Sequence, residues 1–233
     1  MHFKNIKIKY ELNLKLQEKI NLKKSRLGLL ETDILDVLDQ NELAKFNREL
    51  LAKGATIYAE SIKVVIFKSG SGKLSFFEDG EEFIVYHLQK DNISIVDDAC
   101  VLEILEGSEI YSIDADDVGE LLKNERFAKA YADTLANIAL LQHQIIKSIL
   151  FESAKGRIAN FLIELAAEQN LTQNGYHYVF LPFSLKVLSS FVGLKRQSAS
   201  TAFNELIKDD IIRRVTPHEI LIIDREKLRS YMN

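Results

Sequence analysis

Cysteine occurs once in these 233 residues, at Cys100, so no intramolecular disulfide forms and a reducing compartment is expected. Proline occurs twice, at Pro182 and Pro217, which leaves residues 119–152 without a helix breaker. No apolar run approaches the roughly 18 residues that span a bilayer. Met1-His2-Phe3-Lys4-Asn5 lacks the apolar core of a signal peptide, so the expected location is the cytoplasm. With 47% hydrophobic and 27% charged residues, the composition is that of a globular chain, long for one small domain and sufficient for two cores.

The most informative stretch is Leu185 to Ile212, where two apolar-periodic segments flank a Gly193-Leu194 corner. Leu185, Leu188 and Val192 recur at helical spacing, with Val187 and Phe191 beside them. After the corner, Ala199, Ala202, Phe203, Leu206 and Ile207 form a second buried stripe. Lys195, Arg196, Gln197, Ser200, Thr201 and Asn204 fall on the opposite face, which suits contacts to base edges and phosphates in a major groove. Ile211 to Val215 and Ile220 to Ile223, separated by Thr216-Pro217-His218-Glu219, read as a hairpin, the wing of a winged helix. Asp224 then caps a helix over Arg225 to Met232. Upstream, an amphipathic helix from Lys155 to Ala166 and a strand lead-in from Tyr176 to Leu181 complete the module.

The run G-R-I-A-x-x-L at Gly156 to Leu162, the corner G-L-x-R-Q at Gly193 to Gln197 and D-x-I-I-R closing at Arg213 resemble the C-terminal domain of the CRP/FNR family of bacterial transcription regulators. The resemblance extends more loosely back to about residue 20. It implies an α+β chain with an N-terminal β-roll (jelly-roll) sensor, a long dimerisation helix and a C-terminal winged helix-turn-helix. The corresponding boundaries are 1–118 for a helical cap and β-roll, 119–152 for the dimerisation helix and 153–233 for the DNA-binding domain. The family's usual base-reading pattern falls on Arg196, Gln197 and Thr201, where only Arg196 is kept. The operator sequence therefore does not transfer from the family. The resemblance also implies double-stranded DNA and RNA polymerase as partners.

The net charge of −4 divides unevenly. Residues 183–233 carry nine basic and six acidic side chains, net +3, which leaves −7 on the rest. A basic module on an acidic body suits phosphate contacts, because the field at the interface is the one that matters. Base-edge contacts are expected from Gln197, Ser200 and Thr201, phosphate contacts from Lys186, Lys195 and Arg213, and a guanine or phosphate contact from Arg196, with Ser198 a further DNA-binding residue.

Residues 46–113 consist of short β-branched and aromatic runs punctuated by Gly54, Gly70, Gly72, Gly80 and Gly107, the pattern of a compact antiparallel barrel or jelly-roll. Residues 6–50 read as helical. Ser69-Gly70-Ser71-Gly72-Lys73-Leu74 echoes a phosphate loop, but Leu74 stands where a magnesium-binding hydroxyl belongs, so a hairpin turn is expected. The stretch matching the family's cyclic-phosphate cassette, Asp91 to Glu103, has no Gly, no Arg and three aspartates. Carboxylates there would repel a phosphodiester, so control by cyclic AMP is not expected.

No metal site or resident cofactor is expected. Cys100 reads as a small buried hydrophobe, and a haem or other effector, with Cys100 and His87 or His143 as candidate ligands, stays open. A single cysteine excludes a four-cysteine iron-sulfur cluster. No nucleophile, base and orienter combine into an enzyme site. In residues 119–152, Leu135, Ile138, Gln142, Ile145 and Ile149 follow a heptad seam expected to pair with a second copy about a two-fold axis. The sequence thus reads as a homodimeric regulator on a palindromic operator. The alternative is a ligand- or redox-sensing module whose winged helix mediates protein-protein contacts.

Overall fold

A computed structural model describes residues 29, 31, 32, 34–181 and 183–232. The helical reading of residues 6–50 lies largely outside these. Where it can be compared, it gives way to a single helical turn, α1 (Gln40–Leu43), and a strand, β1 (Asn47–Leu51). Asp39 caps α1 by accepting from the Asn41 and Glu42 amides at 2.8 Å, and the Glu42 carboxylate accepts from the Asp39 amide in return.

Strands β2 (Thr56–Ile57), β3 (Lys63–Glu78), β4 (Glu81–Gln89), β5 (Ile93–Val96) and β6 (Val101–Asp114) follow. The sheet order is β1-β6-β3-β4, with β2 on β6 and β5 on β3. β1 runs antiparallel to β6 from Asn47↔Ser112 to Leu51↔Ser108, and β3 antiparallel to β5 from Lys63↔Val96 to Ile66↔Ile93. Val64, Val65, Ile66 and Phe67 are all fully buried, which is why that segment is a continuous apolar run rather than an alternation.

Two expected breaks are absent. Ser69 to Gly72 is not a hairpin turn; it lies inside β3, which runs on to Glu78. Gly70 sits at φ +83°, and a Cβ there would stand 2.2 Å from Ser108 Oγ and 2.5 Å from the Gly107 carbonyl oxygen. The glycine is thus explained by the close approach of another strand rather than by a chain reversal. Gly107 likewise lies within β6. The reversal occurs later, at Asp79-Gly80, both at positive φ (51° and 78°), as a two-residue hairpin requires.

After β6 comes a 3₁₀ segment, Ala115–Lys123, and then the long helix α2 (Glu125–Phe151), which begins six residues later than position 119. Asn124 sets that start: its side-chain oxygen accepts from the Arg126 and Phe127 amides at 3.1 and 3.2 Å, and its Nδ2 donates to the Val37 carbonyl at 3.0 Å.

Contacts divide the chain into two compact units. The first comprises the described residues of Met1–Gly72 with Leu88–Asp98 and Ile104–Leu141. Its core joins Ile34, Leu35, Phe46, Val64, Ile66, Ile93, Ile113, Val118, Leu121 and Phe127. The second comprises Lys73–His87, Ala99–Glu103 and Gln142–Asn233. Here α3 (Ala154–Gln169) starts on the Ser153 cap and stops at Asn170, which is left-handed. A hairpin of β7 (Leu171–Gln173) and β8 (Tyr176–Phe180) follows, turning at Asn174-Gly175. Helices α4 (Leu185–Val192) and α5 (Arg196–Lys208), strands β9 (Ile212–Thr216) and β10 (Glu219–Ile222), and α6 (Arg225–Ser230) complete the unit. The sheet order is β7-β8-β10-β9. No helix among the described residues is long and apolar enough to cross a membrane.

Candidate nucleic-acid interface

Helix α5 buries Ala199, Ala202, Phe203 and Leu206, and the residues between them face outward. Lys195, Arg196, Gln197, Ser198, Thr201 and Asn204 are exposed and Ser200 is half-buried, so the predicted polar face is one continuous surface at the helix N-terminus. That end carries the positive pole of the helix and adds to the cationic side chains. Lys186 on α4 is also exposed. Arg213 on β9 is exposed and pairs with Asp210 at 3.1 Å, a bridge weak enough in solvent for a phosphate to displace.

The corner that aims α5 is built from the backbone. Ser184 caps α4, and Gly193 closes it at φ +64° with its amide donating to the Ser189 carbonyl. The Leu194 amide reaches the same carbonyl at 3.0 Å. Behind the corner, Arg157 donates from Nη1 to the Gly193 and Val192 carbonyls (2.9 and 3.4 Å), from Nη2 to Ile149 (2.7 Å) and from Nε to Glu152 (3.4 Å). One guanidinium therefore satisfies the carbonyl ends of both α2 and α4. In the sequence Arg157 stands out only within the G-R-I-A run, and its one signal is an arginine at the start of the helix that lies behind the corner.

The C-terminal half of α5 is tied down separately. Lys155 on α3 reaches Glu205 at 2.8 Å and Asp209 at 3.9 Å, and the hydrogen bond it donates to Glu205 holds the Lys155 ammonium above its ordinary pKa. In the wing, the Tyr178 hydroxyl donates to Glu219, which raises the phenol's pKa and lowers the carboxylate's. Arg214 lies on β9, its Nη2 donating to the Pro217 carbonyl at 3.2 Å; it is a further exposed cation not singled out from sequence.

The expected seam on α2 requires correction. Ile138 and Ile145 are each 6% exposed, covered within the single chain together with Thr134 and Leu141. Leu135 is half-buried, whereas Gln142 and Ile149 are exposed. At about 100° per residue, Ile138 and Ile145 lie some 40–60° from Gln142 toward the covered side. The stripe left open at spacings of four and three runs instead through Leu135, Ala139, Gln142, Ile146 and Ile149.

In the cassette region, Asn92 is fully buried and serves the fold: its Oδ1 accepts from the Gln89 amide at 3.0 Å and its Nδ2 donates to the Leu29 carbonyl at 3.3 Å. Cys100 is buried just before β6, His87 is half-buried and His143 is exposed. Among the described residues no three His, Cys, Asp or Glu side chains cluster as metal ligands.

Residues 156–231 match the family model of the Crp-like helix-turn-helix domain. This chain carries a Crp-like helix-turn-helix domain. The fold rests on similarity to solved structures. A doubly substituted CooA from Carboxydothermus hydrogenoformans aligns with TM-score 0.75 at 21% identity, covering 92% of this chain and 99% of that one. A CprK variant complexed with OCPA aligns at 0.70 and 15% identity over 88% and 97%. The c-di-GMP responsive regulator CLP from Xanthomonas campestris aligns at 0.65 and 16% identity over 81% and 97%. No curated protein matches the sequence significantly.

Proposed function

We propose that the chain is a homodimeric transcription regulator that places α5 of each subunit in successive major grooves of a palindromic site, about 34 Å apart, and that cyclic AMP does not control it. The observation that carries this reading is the exposed face from Lys195 to Thr201 on a helix anchored by Ala199, Ala202, Phe203 and Leu206. The stripe of half-buried Leu135 and exposed Ala139, Gln142, Ile146 and Ile149 supplies the second-copy contact, with Gln142 at a position where a polar residue sets register. RNA polymerase is the expected further partner, and no resident cofactor is invoked.

The test is binding to DNA selected from a random pool. Arg196→Ala should cost about 1–3 kcal/mol on the selected site and relax preference at one base pair per half-site. Lys186→Ala should weaken selected and random DNA alike, with a shallower salt dependence. Equal losses on both DNAs for the two variants would remove Arg196 from base reading.

The cassette makes a separate prediction. Asp91, Asp97 and Asp98 border β5 where the family holds a cyclic phosphate, and like charge opposes that ligand. Calorimetry with cyclic AMP or cyclic GMP should register no heat at millimolar ligand. Micromolar binding of either would overturn this part of the reading.

A further inference from the structure

The second unit contains, besides the winged helix, the tip of the β3–β4 hairpin, Lys73–His87. The two meet at the corner. Phe83 Cε2 lies 2.8 Å, and Cδ2 3.3 Å, from the point where a Cβ on Gly193 would stand, so the ring edge occupies the space a side chain would need. Arg157 Nη1 lies 3.6 Å from the same point. Gly193 is therefore demanded twice, by its left-handed φ and by the ring packed on it. Beside this contact a groove of about 250 Å³ separates Phe76, Glu78 and Glu81 of the hairpin from Leu194 and Lys195.

The hairpin is braced by Glu82 of its own second strand and by Glu103 of β6. Lys73 Nζ contacts Glu82 Oε1 at 2.6 Å and Glu103 Oε2 at 3.0 Å, and Ser75 Oγ donates to Glu82 Oε1 at 2.9 Å. Burial pulls the Lys73 pKa down, but the bonds to Glu82 and Glu103 outweigh it and leave the group above its ordinary value. With Glu82 committed to this brace, the exposed acids of the tip are Glu78, Asp79 and Glu81. Of these, Glu78 and Glu81 line the groove with Lys195, the residue that precedes α5 and is proposed to contact phosphate.

We propose that this hairpin is an autoinhibitory latch: Phe83 packs on the Gly193 corner while the carboxylates of Glu78 and Glu81, beside Lys195, oppose a DNA phosphate approaching the N-terminus of α5. The inference rests on the reading that α5 binds DNA. An apolar ring on the corner fixes where α5 begins, and uncompensated carboxylates repel the polyanion that α5 is charged to attract. Arg157, bonded to the ends of both α2 and α4, makes the end of the long helix and the latched corner move as one piece. Release of the hairpin is then the step that exposes the reading head.

The full chain, titrated onto its selected DNA site and onto random DNA by fluorescence anisotropy, tests this with Glu78→Gln/Glu81→Gln and with Phe83→Ala. The charge variant should bind tighter by about 2- to 30-fold, from two surface charge interactions, with the gain shrinking at high salt. Phe83→Ala, which changes no charge, should also bind tighter, and its backbone amides at 193–197 should exchange faster in hydrogen exchange. Phe83→Leu takes its place if alanine costs the fold. Tighter binding by the charge variant alone would reduce the tip to a local electrostatic effect and overturn the latch. Unchanged affinity in both variants, with the wild type binding its site, would overturn the latch and leave the DNA reading intact. Absence of DNA binding by wild type and variants alike would overturn both.

Discussion

Ile146→Glu together with Ile149→Glu should convert the proposed dimer to monomers and reduce operator affinity by about 10²- to 10⁴-fold, the gain that a linked second contact supplies. Both residues are exposed on the single chain, Ile146 by 54% and Ile149 by 43%, so the substitutions cost the isolated subunit little. Across a two-fold seam they bring like charges together and remove two apolar knobs per subunit, at several kcal/mol for each buried unpaired charge. Light scattering reads the mass and anisotropy the affinity; a variant still dimeric with unchanged affinity would show that the stripe is not the interface. Ile138→Glu and Ile145→Glu should behave differently. These side chains are already covered within the chain, so glutamate there should lower the melting temperature rather than release a folded monomer.

Phe161→Ala should destabilise the winged helix by about 3–5 kcal/mol. Phe161 on α3 is 5% exposed and meets Phe183 and Phe191 at ring-centroid distances of 5.9 and 5.7 Å, while Phe183 and Phe191 lie 5.4 Å apart. The three rings bind α3 to the start and end of α4, and their tilted geometry adds about 0.5–1.5 kcal/mol per pair beyond area burial. Truncation removes one ring from two such pairs and leaves a cavity between the helices. Urea denaturation should register the loss. Hydrogen exchange should rise in α3 and α4 while amides around Leu121 and Phe127, in the core of the other unit, stay protected. Uniform loss of protection in both units would mean that the two cores unfold together.

The parts of the fold that were readable from sequence are those whose signals are local. The stripe Ala199, Ala202, Phe203 and Leu206 announces which face of α5 is buried, because a helix of fixed period can hide only one side. The wing follows from two β-branched runs around a proline turn, realised as β9 and β10. Ser69 to Gly72 misled because glycine at positive φ signals equally a turn or a strand pressed by a neighbour, and that neighbour, Ser108, lies 38 positions away in sequence. The α2 seam misled for a similar reason. Apolar residues occur on more than one side of that helix, and periodicity identifies apolar faces without saying which is covered by the same chain.

The sequence by itself determined that a helix-turn-helix with a wing lies in residues 156–231, that the outer face at the start of α5 is cationic and polar, and that the stretch Asp91 to Glu103 carries three aspartates and neither Gly nor Arg. Each follows from residue type at helical or strand spacing, which needs no partner to be read. Tertiary structure alone decided that Ile138 and Ile145 are covered, that Arg157 gathers carbonyls from two helices, and that Phe83 rests on Gly193. Those facts depend on contacts between positions as much as 110 residues apart, such as Phe83 and Gly193, and burial is a property of the pair in contact rather than of either residue alone.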